Sequence, residues 1–425
     1  MVMKLGEVAK VISGYAFKSS CFCGLGIPVI KIKNIQQGSI DLTDMQCVDR
    51  KFLSIDNKYH VKHGDLLISL TGSHLTQPNS VVGRVALYKD SARFCLLNQR
   101  AGKIIITKPS NCNNVFLYYY LFTEESRQKI ANMAHGAANQ ANVSPSQIEG
   151  LELDLPQINT QRKIASILSA YDDLIENNTR RIKILEEMAQ RIYREWFVNF
   201  RFPGHEKVKM VESELGMIPE GWGVKKLSEL VNTQYGYTES AKEEPIGPKY
   251  VRGTDINKTS YIDWAFVPYC PISESDYPKY KVLIGDIFII RMADPGKVGI
   301  VEKEIDAVFA SYLIRLIIKT AELSPYYLFY FLLSERYQNY VTGACTGTTR
   351  KSASAGVITD ITILIPQLKI REIFEQQIFN IRKLLNNLLA RNSNLRKTRD
   401  LLLTKLISGQ LDVSDLDIDT GVLDA

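Results

Sequence analysis

The stretch IASILSAYDDLIENNTRRIKILEEMAQRIYREW, residues 164–196, decides the fold. Its seam runs through Ile164, Leu168, Tyr171, Ile175, Asn178, Ile182, Leu185, Ala189, Ile192 and Trp196, in steps alternating between four and three. That 3.5-residue period predicts a helix with a narrow apolar seam, built to pack along another long helix. At about 1.5 Å per residue the helix is roughly 50 Å long, more than one small domain needs. A shift of 210 residues finds the pattern again in Phe374, Ile378, Ile381, Leu385, Leu388, Asn392, Leu395, Arg399, Leu402 and Leu406. The chain carries two copies of one seam helix.

The duplication extends outward from the helices. Lys4-Leu5-Gly6-Glu7-Val8 answers Lys226-Leu227-Ser228-Glu229-Leu230, and Gly14-Tyr15 answers Gly236-Tyr237. Gly64-Asp65 answers Gly285-Asp286, Val82-Gly83 answers Val298-Gly299, and Pro156-Gln157 answers Pro366-Gln367. A repeat this long is a duplicated domain, not a solenoid. Each copy reads as short strands (65–70, 81–88, 101–106; 286–290, 299–301, 312–318), then an aromatic amphipathic helix (114–133; 324–341), a polar loop, a last strand and the seam helix. The expected fold class is α+β: two similar globular domains separated by two long antiparallel coiled-coil helices, an internal pseudo-two-fold repeat. The expected divisions are a first domain 1–155, a helix 156–200, a polar connector 201–222, a second domain 223–365, a helix 366–408 and a mobile acidic tail 409–425.

Size and composition bound the function. The 425 residues allow several cores, and 45% hydrophobic with 23% charged residues is a soluble globular balance. No run of 18 apolar residues exists and the N-terminus has no secretory h-region, so no membrane association is expected. Seven scattered cysteines read as free thiols of a reducing cytoplasm. The net charge of +6 is uneven: +6 falls on 366–408 and −5 on 409–425. The basic segment suits a polyanion or an acidic protein face.

Catalytic signatures are missing. There is no GxxxxGK[ST] phosphate loop, no GxGxxG after a first strand, no Asn-Pro-Pro-Tyr-like motif for amino methylation and no HExxH. No catalytic residue and no metal site is expected. The pairs Asp172-Asp173 and Glu186-Glu187 read as solvated charge on the outer helix face.

Binding remains. Two loops follow the aromatic helices in equivalent places. One holds Asn139 and Gln140; the other holds Thr348, Thr349, Arg350 and Lys351. Arg pairs bidentately with guanine, Asn and Gln with adenine, whereas Ser, Thr and Lys suit phosphates. A second set is Lys31, Lys33 and Asn34 against Arg252 and Thr254, and a third is Ser69 and Thr71 against Arg291. The copies differ most in such loops and least in the helices, as expected if the halves read different things.

In the order and duplication of these pieces the chain resembles the specificity subunit of type I restriction–modification systems, over nearly its full length. The carrying residues are Pro156-Gln157…Gln161-Arg162-Lys163-Ile164 and Pro366-Gln367…Arg371-Glu372-Ile373, with Ile218-Pro219-Glu220-Gly221-Trp222, both Gly-Asp pairs and Gly347-Thr348-Thr349-Arg350-Lys351. The resemblance implies two target-recognition domains, each reading half of a bipartite site in double-stranded DNA. It implies helices that set the spacing and dock methyltransferase subunits, expected as two, with restriction/translocase subunits completing the complex. S-adenosylmethionine, ATP and Mg would belong to those partners, and this chain would need no cofactor of its own. The first copy lacks a Pro-Glu-Gly-Trp counterpart, so its edge is expected to be shortened. Two other readings, a self-contained modification enzyme and a coiled-coil scaffold without DNA, explain less: the first lacks motifs, and the second leaves the duplicated domains unexplained.

The seam makes one sharper prediction. Asn178 and Asn392 are the only asparagines in their seams and do not match under the 210 shift. In antiparallel packing, facing positions share a constant sum, and centring the helices puts these two opposite each other. A buried Asn pair fixes register at a cost in stability.

Overall fold

The computed structural model describes residues 2–73, 82–137, 140–345 and 351–421. The chain forms two compact units, Met1–Ile175 with Asn394–Ala425, and Glu176–Ser393. Their borders fall inside the long helices, Ile158–Phe197 and Leu368–Ile407. Each helix has 40 residues, and both ends are offset by 210. The units cut across the divisions read from the sequence because each half-helix packs with its own domain. Ile164, Ala165, Leu168, Leu403 and Leu406 belong to the core of the first unit. Ala189, Tyr193, Trp196, Phe374 and Ile378 belong to that of the second. No seam position is exposed.

Each unit repeats one frame. In the first, an antiparallel sheet runs in the order Val85–Leu87, Leu66–Ser69, Ala101–Ile106, Ala9–Ser13. In the second the order is Val298–Ile300, Ile287–Ile290, Leu313–Ile318, Val231–Tyr235. A parallel pair stands beside each sheet, Ile27–Ile30 with Cys95–Leu97 and Lys249–Val251 with Ala307–Phe309. The last strand of each domain closes on its first, Glu152–Asp154 on Val2–Lys4 and Thr362–Ile365 on Gly223–Lys226.

The Gly-Asp pairs explain themselves here. Gly64 and Gly285 sit at φ +85° and +90°, a left-handed turn that glycine adopts at no steric cost. Asp65 accepts from Lys62 N (2.8 Å) and Lys103 Nζ (3.2 Å); Asp286 accepts from Leu283 N (2.8 Å) and Arg315 Nη1 (2.9 Å). Lys103 also donates to His60 O and Arg315 to Lys281 O, each at 2.8 Å. One buried cation clamp therefore occurs twice. Burial holds the Asp286 carboxyl above its ordinary range even with Arg315 beside it.

Four expectations are corrected. The aromatic helices are each two helices, Asn114–Phe122 with Glu124–Met133 and Pro325–Leu333 with Glu335–Ala344. Thr123 and Ser334, both extended, break them and cap the second helix of each pair by accepting from Ser126 N and Tyr337 N. The connector is not a loose linker: Met210–Ser213 pairs with Gly216–Pro219, and Phe202, Ile218 and Trp222 are buried in the second core. The described part of the acidic tail is docked, not mobile. Val413 is buried in the first core, and Ser414 O and Asp419 O accept from Lys163 Nζ (2.5 Å) and Ser166 Oγ (2.7 Å). Finally, one carboxylate of each acidic helix pair turns inward. Asp172 accepts from Tyr119 OH (2.7 Å) and pairs with the seam residue Arg399 (2.5 Å), while Glu186 accepts from Ser260 N (3.2 Å).

Arg382 fastens the second helix to its domain. It is fully buried, with Nε 2.7 Å from Glu302 Oε1, Nη2 also on Glu302, and Nη1 and Nη2 each 3.2 Å from Ser260 oxygens. Ser260 also donates its hydroxyl to Glu186, so one loop residue is held by both long helices. Within the same unit the predicted register is observed: Asn178 Nδ2 donates to Asn392 Oδ1 at 2.8 Å, and Asn392 Nδ2 reaches Thr179 Oγ1 at 3.3 Å. Ile182 packs with Leu385 and Leu388 just beyond them. The pairing runs antiparallel, as the constant-sum argument requires.

Candidate nucleic-acid interface

The described members of the candidate sets converge at one end of each domain's sheet. In the first domain Thr71 pairs with Asn142 and Gly72 with Ala141, so the third set lies against the strand Gln140–Asn142 of the polar loop. In the second, Ala293 N donates to Lys351 O (3.1 Å), Ala353 N donates to Arg291 O (2.9 Å), and Met292 bridges Ser352. The polar loop of the first copy is a short hairpin, His135–Ala137 with Gln140–Asn142, where irregular chain was expected. Asn139, Thr348, Thr349 and Arg350 lie outside the described residues, and Gln140 is described by its backbone alone.

The remaining set forms the same turn twice. Lys31 N donates to Asn34 Oδ1 (3.0 Å), and Arg252 N donates to Asp255 Oδ2 (2.8 Å), each closing a one-turn 3-10 helix. The basic side chains are held differently. Lys31 Nζ sits 3.5 Å over the Phe22 ring and donates to Gln46, whereas Arg252 forks onto Asp255 at 3.0 and 3.2 Å. Burial first, and the charge of Lys33 second, hold the Lys31 ammonium below the usual lysine value. Lys33 is exposed and pairs with Asp44 at 2.6 Å. Arg252, Thr254, Asn257, Met292 and Tyr312 line a cleft of about 730 Å³ in the second domain. Arg291 stacks 4.8 Å from the Tyr235 ring centre, and its buried Nε has no hydrogen-bond partner among the described residues.

Three expected contacts are withdrawn from the surface. Asn34 is 3% exposed, its amide donating to Asp41 O (2.9 Å) and Asp44 O (3.3 Å). Ser69, fully buried, accepts from Arg84 N (3.0 Å), and Thr71 is buried in its strand. Asn34 and Ser69 spend their side chains on the frame, and Thr71 is buried where its strand pairs with Asn142. Their letters resemble those of surface contacts, so composition could not separate the two roles.

The sequence reading missed a turn that joins the second and third sets. It is Asn98–Ala101 in the first domain, carrying Gln99 and Arg100, and Ala310–Leu313 in the second, carrying Ser311 and Tyr312. Asn98 N donates to Ile30 O, beside Lys31, and Leu70 N to Arg100 O; Ala310 N donates to Val251 O, beside Arg252, and Arg291 N to Tyr312 O. The Gly-Tyr pairs were the available signal. A Cβ on Gly14 would stand 2.4 Å from the Leu97 and Asn98 oxygens, and one on Gly236 2.4 and 2.3 Å from those of Phe309 and Ala310. Only glycine lets the chain leaving the strands Ala9–Ser13 and Val231–Tyr235 pass so close beneath the turn.

Among the described residues no group of three or more His, Cys, Asp or Glu is placed to hold a metal, and no helix is long and apolar enough to cross a membrane. Two domains with one frame and unlike rims define a duplicated protein whose halves present different polar surfaces. Residues 1–187 and 219–399 match the type I restriction modification DNA specificity domain, and the chain belongs to that family. It is 27% identical over 377 residues to the type I restriction enzyme MjaVIII specificity subunit of Methanocaldococcus jannaschii, covering 86% of this chain and 84% of that one. It is 24% identical over 405 residues to the EcoKI specificity subunit of Escherichia coli K12, covering 91% and 82%. The fold is similar to the crystal structure of a type I restriction–modification S subunit from M. genitalium, with a TM-score of 0.54 and 16% identity over 96% of this chain and 95% of that one.

Proposed function

We propose that the chain reads an interrupted, asymmetric target in double-stranded DNA, one half through each domain, with the long helices setting the interval. The observation that carries this is the duplicated frame with divergent rims. The same sheet, turn and clamp recur, while Gln99-Arg100 becomes Ser311-Tyr312 at the rim and the buried Leu70 is answered by Arg291. Helices of fixed register work as a ruler, since two readers on one duplex must sit a fixed number of base pairs apart. The basic helix 366–408 and its exposed apolar side chains, Phe379, Leu384 and Leu401, suit docking of methyltransferase subunits, two in the full complex.

The chain itself is non-catalytic in this reading and works in the cytoplasm. S-adenosylmethionine is bound by the methyltransferase partners, and ATP with Mg by restriction/translocase subunits. The sequence supports that division by carrying neither a nucleotide phosphate loop nor an amino-methylation motif. The test mixes the purified chain with its methyltransferase partner and measures methyl transfer to duplex DNA. Transfer is expected only with both present, at one target. Sequence-specific transfer by the partner alone would overturn the assignment.

A further inference from the structure

The turn at Asn98–Ala101 and its twin at Ala310–Leu313 are anchored by the same backbone bonds. Tyr15 N donates to Leu97 O and Tyr237 N to Phe309 O, both at 2.8 Å. Gln99 N returns to Tyr15 O (2.9 Å) and Ser311 N to Tyr237 O (2.8 Å). Ala101 N closes on Asn98 O and Leu313 N on Ala310 O, both at 2.9 Å. Gly14 N and Gly236 N add a bond from below, to Ala101 O and Leu313 O. The backbone is the same in both copies, yet the two central side chains share nothing: Gln99 and Arg100 against Ser311 and Tyr312. Gln99 and Arg100 are exposed, Tyr312 is 53% exposed, and Ser311 is half-buried.

A rigid platform that swaps its outward side chains is what base discrimination needs, because a reader must hold a donor and acceptor pattern in place without spending binding energy to order itself. Each turn is also bonded next to a basic residue, Lys31 or Arg252. The geometry points to this turn as the base-reading element of each domain. Gln99 and Arg100 discriminate in one half-site, with chemistry suited to adenine and guanine edges. Ser311 and Tyr312 discriminate in the other, by single hydroxyl bonds and the tyrosine ring. This deepens the half-site reading above and rests on it.

The test uses the full chain assembled with its methyltransferase partner and a pool of randomised duplexes, from which bound sequences are selected and read. The wild type, R100A, R100K and Y312A are compared, with thermal unfolding as a check on folding. R100A is expected to lose about 5- to 150-fold preference at one base pair of one half-site, and to leave the other half-site unchanged. Y312A is expected to relax the opposite half-site only. R100K keeps the charge but not the planar fork, so it retains affinity and loses the preference; it carries the test if R100A does not fold. Folded variants that keep every base preference overturn the assignment while leaving the half-site reading intact. Relaxation of both half-sites by one variant also overturns it. A wild type that selects no two-part sequence removes the half-site reading and this inference together.

Discussion

The two domains agree where side chains face inward and disagree where they face out. Lys103 on Asp65 and Arg315 on Asp286 are the same clamp in different residues, each also donating to the carbonyl of the residue five before its aspartate. Gln161 and Arg371, 210 apart, likewise do one job. Gln161 donates to Asn111 O at 2.8 Å and Arg371 donates to Glu322 O, tying the start of each long helix to the loop before the aromatic helices. Interior substitutions preserve the bond made. At the rim, where Gln99-Arg100 faces Ser311-Tyr312, the backbone is preserved and the chemistry is not. The difference teaches that duplication supplied a scaffold whose outward residues can change without disturbing it.

The strongest way to break this comparison is through the frame. Arg382→Ala leaves Glu302, a buried carboxylate with Tyr326 OH as its other partner, without its counter-charge. The expected loss is about 3–5 kcal/mol in urea unfolding, and a neutral result would remove the anchor from the account. Next come the twin clamps. Arg315→Ala should cost about 3 kcal/mol and Lys103→Ala about 1–2 kcal/mol, in that order because the side chains of Arg315 and Asp286 are 8% and 12% exposed and those of Lys103 and Asp65 are 8% and 24%. Equal costs, or the reverse order, would mean that burial of the carboxylate does not set the value of the clamp.

A smaller effect tests the ruler. Asn178→Leu alone removes the donor to Asn392 Oδ1 and should cost about 1 kcal/mol, whereas the double replacement with Asn392→Leu should recover stability and loosen the register. The readout is a double-mutant cycle, together with the gap tolerated between half-sites. An unchanged gap in the double variant would show that the ruler is fixed elsewhere. The smallest effect belongs to an exposed rim cation. Lys33→Ala should weaken DNA binding uniformly across sequences and lower the salt slope by about 1. A loss confined to one sequence would make Lys33 a base reader instead.

Much of the frame was legible because it is periodic or local. The seams, the 210 offset, the Gly-Asp turns and even the Asn178–Asn392 register follow from spacing alone. Family membership was legible in the same way, from the order and duplication of short motifs. The clamps were not, since Lys103 and Arg315 look like ordinary strand residues until folding brings them to Asp65 and Asp286. The breaks at Thr123 and Ser334 were missed although the apolar runs stop there, at Thr123-Glu124-Glu125 and Ser334-Glu335-Arg336, where a capping residue is followed by acidic first-turn residues. The turn at Asn98–Ala101, with its twin at Ala310–Leu313, was the least legible. Its two copies share no central letters, and only the glycines packed beneath it carry a trace. Asn34, Ser69 and Thr71 show the converse error, polar residues chosen for their chemistry that the fold uses for itself.

The central claim, two unlike readers held at one interval, is tested most directly by selecting bound sequences from randomised duplexes with the assembled wild-type complex. The account predicts two different specific half-sites separated by an unspecific gap of constant length. A single contiguous site, a palindrome, or half-sites at variable separation would contradict it.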